Sequence, residues 1–155
     1  MAILAAFYAL FCFGKIIPAS RPGKWYIWLT ILTCITGFPI MKTGHFTPGH
    51  YLAIIIMILL PIGIFIRSFR IFGKLADYLQ VIIMSTTLFL SLIPAIVETL
   101  TRLPKSQPLA DGPNAPNIQK GLGALVVLFI AGVAYQLYKL WVQRKADKVF
   151  KGAAN

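Results

Sequence analysis

Carboxylates are nearly missing from this chain. Four Asp and Glu stand against 15 Lys and Arg, a formal charge of +11. None of the four lies deep inside an apolar run. Charge within a membrane span is the usual mark of an ion or proton pathway. Its scarcity argues against a self-contained pump or an ion-coupled transporter. Cysteine is scarce too: Cys12 and Cys34 sit in apolar stretches without C-x-x-C company, so a disulfide framework is not indicated. There is no Gly-rich phosphate loop and no H-E-x-x-H. No catalytic residue is assigned, and the sequence requires no cofactor.

What is abundant is apolar surface. Hydrophobic residues make up 58% of the 155 and charged ones 12%. A soluble domain carries about 25% charged residues. A chain this small cannot hide so much apolar surface from water. Its natural solvent is lipid. The basic excess sits between apolar blocks, which fits membrane topology and not a nucleic-acid footprint.

The charge-free blocks divide the chain into five expected helices, at about 2–17, 25–41, 49–66, 77–98 and 121–141. Each approaches the roughly 20 residues that cross about 30 Å of hydrocarbon. Helix is the form that satisfies every backbone group within one segment. The expected fold is an all-α integral membrane protein, one transmembrane domain of about five helices. It would be four if the first were cleaved as a signal. No basic residue precedes that first block and no small-residue cleavage site follows, which favours a retained helix. Pro39, Pro61 and Pro94 fall inside blocks and read as packing kinks. Ser85, Thr86, Thr87 and Ser91 give the fourth block hydroxyls that bond back to the helix or across to a neighbour.

Loop charge sets the expected orientation. Five helices place eleven basic residues on one side and four on the other. The positive-inside rule puts the larger group in the cytoplasm, with the N-terminus outside and residues 142–155 as a basic cytoplasmic tail. Trp25, Trp28 and Trp141 then fall at the cytoplasmic interface, where amphipathic rings settle. Arg67, Arg70 and Lys74 are spaced three and four apart, one basic stripe if helical, against anionic lipid headgroups. The expected location is a bacterial inner membrane.

The outward side gathers the ligand-type residues. "KTGHFTPGHY" at 42–51 joins the second and third helices and holds both histidines. Thr47 suits a cap and Pro48 the first helical position. A Pro-rich loop follows the fourth helix, at about 99–120. His45, His50 and Glu98 are the candidates for a quinone or metal site there. Three functions are weighed. The first is an accessory subunit of a larger respiratory or photosynthetic electron-transfer complex, docking other membrane subunits through its helices and outer loop. The second is a quinone- or metal-binding redox protein built on the His/Glu cluster. The third is a small channel or transporter.

Overall fold

The structure, a computed structural model, describes residues 1–37, 48–102 and 115–153. Regular structure among them is wholly helical: α1 (Ala2–Phe13), α2 (Arg21–Gly37), α3 (Pro48–Phe65), α4 (Ala76–Arg102) and α5 (Pro116–Ala153). Two short 3-10 segments, Ile66–Ser68 and Arg70–Leu75, join α3 to α4. Among the described residues three stretches are long and apolar enough to cross a membrane: Gly49–Ser68, Ala76–Thr101 and Pro116–Ala146. The chain is a membrane-embedded helical protein.

The helix ends follow local chemistry. α1 stops at Phe13, four residues short of the expected Ile17. Gly14 is in the left-handed region (φ 68°), and its N–H closes on the Leu10 carbonyl at 2.8 Å. A glycine there ends a helix without a Cβ penalty. Ser20 opens α2: its hydroxyl accepts from the Gly23 N–H at 3.1 Å and donates to the Ile17 carbonyl at 2.7 Å. α3 begins at Pro48, as the spacing predicts. α4 runs on past Glu98 to Arg102. Pro116 then starts α5 at the position where its missing N–H costs nothing. Residues 99–102 and 116–120 are therefore helical, which trims both ends of the loop expected at 99–120. Residues 103–114 of that loop lie outside the described residues.

Neighbours in sequence are neighbours in space. α1 packs on α2, α3 on α4, and α4 on α5. Gly63 of α3 lies against Ile83 and Met84 near the start of α4, so these two run antiparallel. Gly121 near the start of α5 lies against Ile96 and Leu100 late in α4, so these two also do. α4 is the hub and the most clearly amphipathic element. The core gathers Ala6, Ala9, Tyr26, Leu60, Met84 and Leu88 from four helices. α5 is different: only 6% of its membrane-length stretch is buried.

Candidate functional site

Asp77, Gln80, Thr87 and Ser91 recur on α4 at helical spacing and share one face. From Asp77 to Ser91 this line covers about 21 Å of helix. Each member is spent on a neighbour. Gln80 donates Nε2–H to the Gly63 carbonyl of α3 at 2.9 Å. The Tyr26 hydroxyl reaches from α2 and donates to Thr87 Oγ1 at 2.9 Å, and Thr87 donates on to the Met84 carbonyl at 2.8 Å. Ser91 donates back to the Thr87 carbonyl. On the flank facing α5, Ser85 donates to Gln136 Oε1 at 3.0 Å, and Phe89 packs on Phe129 with centroids 4.6 Å apart. The Tyr26, Gln80 and Ser85 bonds tie α2, α3 and α5 to α4, while those from Thr87 and Ser91 to carbonyls stay within α4. In a medium without water each such donor needs a protein partner.

The charged members collect at one end of the bundle. Asp77 lies in the first turn of α4, where a carboxylate meets the positive end of the helix dipole. It takes Arg67 Nε at 3.0 Å and Arg144 Nη2 from the far end of α5. Arg144 also lies over the Tyr78 ring, 4.8 Å from its centroid. The Lys139 ammonium group sits beside Gly14. Thus the ends of α1 and α3, the start of α4 and the basic part of α5 lie together.

A cleft of about 540 Å³ opens at this same end. Lys24, Ile27 and Trp28 of α2 form one wall, and Ile64, Arg67 and Gln80 form the other. Trp28 and Trp25 are 70% and 65% exposed, and Trp141 is 52% exposed under the Lys145 ammonium. The tryptophans assigned from sequence to an interface therefore lie on the surface at the basic end.

The basic stripe of Arg67, Arg70 and Lys74 is not built as a single helix face. Phe69 is extended (φ −78°, ψ 104°) and Gly73 has φ 42°, so the backbone turns twice between Arg67 and Lys74. A stripe requires one continuous helical register, and these two residues break it. Arg67 turns instead to Asp77, a residue that sequence reasoning did not single out.

At the opposite end, His50 occupies the first turn of α3 and is buried, while Glu98 is exposed on α4. His45 lies outside the described residues. Among the described residues no group of three or more His, Cys, Asp and Glu side chains gathers as a metal set. Sequence reasoning also passed over Tyr26, Gln80 and Gln136. The spacing of Asp77, Gln80, Thr87 and Ser91 is the signal that points to the α4 line.

Comparison with family models, with curated proteins and with solved structures finds no match.

Proposed function

We propose that the chain is a small accessory subunit of a larger membrane complex, of the electron-transfer kind, in a bacterial inner membrane. The observation that carries this reading is α5. It is a helix of 38 residues that, among the described helices, packs on α4. Away from α4 it carries Val127, Leu128, Ile130 and Tyr135, each more than half exposed. Gly123, Ala124, Ala131 and Ala134 lie among them. Small residues allow a partner helix to approach closely in lipid. The polar side chains of α4 meanwhile hold the bundle together, as a scaffold requires.

In this reading α2 to α5 cross the bilayer in alternating sense. α1, about 18 Å of helix, ends at the basic end beside Lys139 and covers a little over half the hydrocarbon. The basic end is cytoplasmic and His50 and Glu98 face outward, as the loop charge argues. α5 continues past the bilayer as a basic cytoplasmic extension. The partners are other membrane subunits and lipid.

The test is purification of the tagged chain from its native membrane in mild detergent. The reading expects defined membrane proteins at fixed stoichiometry. Recovery of the chain alone, with no partner in fixed ratio, would contradict it.

A further inference from the structure

We infer that the cleft at the basic end binds the phosphate of an anionic phospholipid, with Lys24 and Arg67 on the phosphate and an acyl chain along Ile27, Trp28 and Ile64. The inference rests on the proposed reading in one respect: the basic end lies at a bilayer surface.

The chemistry of the walls argues for an anion with an apolar tail. Two cationic side chains line the cleft and no carboxylate does. The carboxylate that Arg67 meets, Asp77, is shared with Arg144. Lys24, Arg67 and Arg144 against Asp77 leave two positive charges. Arg67 meets Asp77 through Nε, which fixes the guanidinium while its fork keeps further donors. A donor held in place in advance loses less entropy when it binds. Gln80 is already committed to the Gly63 carbonyl, so the polar floor is satisfied within the protein. The remaining walls are apolar, and Trp28 lies mostly on the surface where headgroup meets acyl chain.

Size fits the headgroup and the upper part of a chain. About 540 Å³ is ample for a glycerophosphate. The position fits as well. Basic pockets between membrane helices on the cytoplasmic side are suited to anionic headgroups. A zwitterionic lipid brings its own cation to the same place and gains less.

The test uses the full chain in nanodiscs of phosphatidylcholine with a minor fraction of phosphatidylglycerol. Native mass spectrometry reads the lipid retained by the released protein. The wild type should retain phosphatidylglycerol in preference to phosphatidylcholine. Lys24→Ala, at an exposed position, should weaken that retention by about fivefold, the contribution of one basic residue at a charged surface. Lys120→Ala, at the other end of α5, should leave it unchanged. Equal retention by wild type and Lys24→Ala would overturn the inference. So would equal retention of the two lipids. Displacement by excess inorganic phosphate would assign the cleft to free phosphate and overturn the lipid. Failure of the wild type to enter nanodiscs would overturn the membrane reading and this inference with it.

Discussion

Gln80 of α4 donates to the backbone carbonyl of Gly63 in α3 across 2.9 Å of buried space. Gly63 lies in the last turn of α3, among the four carbonyls a helix cannot satisfy itself. A side chain from the next helix completes it. At the same junction α3 and α4 approach closely, because Gly63 presents no Cβ to Met84. One glycine thus gives both close packing and an accessible acceptor.

Replacing Gln80 with Leu should remove this bond and keep the volume. The expected loss is about 1 kcal/mol, the scale of interhelical hydrogen bonds in membranes. Titration of the folded protein with SDS in mixed micelles measures it. An unchanged midpoint would mean that the carbonyl finds another donor.

Gly63→Val tests the packing half of the same junction. A Cβ there would sit 2.8 Å from Met84 Sδ and 3.0 Å from Ile83 Cγ2. Overpacking of this kind costs about 1–3 kcal/mol. Gly132 has nothing within 4 Å, so Gly132→Val is the matched control and should be close to neutral. Equal losses at both sites would remove the claim that α3 and α4 meet at Gly63.

Gly23→Ala should be worse than either. Its Cβ would fall 1.9 Å from the Ile17 carbonyl oxygen, which is backbone and cannot rotate away. The turn between α1 and α2 must open, at a cost of about 3 kcal/mol. The readout is cross-linking between cysteines placed on α1 and α2, which should fall sharply while α3–α4 cross-linking persists.

Asp77→Asn removes the charge shared by Arg67 and Arg144 and the favourable charge at the start of α4. Arg67 is 59% exposed and Asp77 31%, so water screens much of the attraction. The expected loss is about 1 kcal/mol. It should shrink in high salt, as partly exposed pairs do. Comparing wild type and variant by the same SDS titration at low and high salt checks both statements.

Much of the architecture was legible because its signals are strong. Charge-free blocks near 20 residues long mark α3 and α4, whereas α5 extends past both ends of its block at 121–141. Pro48 marks a helix start for a reason visible in sequence, its missing N–H; Pro116 opens α5 for the same reason, although the sequence places it inside the loop expected at 99–120. Shorter-range effects were harder to see. α1 ends early because Gly14 takes a left-handed turn, which hydropathy does not register. The stretch from Arg67 to Lys74 looks helical by spacing, yet Phe69 and Gly73 turn the backbone. The pairing of Asp77 with Arg67 and Arg144 joins residues 10 and 67 positions apart, a relation set by packing order. Tyr26 reads as one more aromatic near an interface, and only the fold shows its hydroxyl on Thr87. The cleft has the same origin, since its walls come from the α1–α2 turn and the α3–α4 junction together.

The claim that α5 docks a partner is tested most directly by site-specific photo-cross-linking in native membranes. A photoreactive residue is placed at Val127 or Ile130, on the uncovered face, and at Leu125, which faces α4 and is buried. The account predicts that both outward positions capture the same membrane protein, in one-to-one adducts, and that Leu125 captures none. Adducts at Val127 and Ile130 with lipid alone, on a chain that migrates as a free monomer, would contradict it.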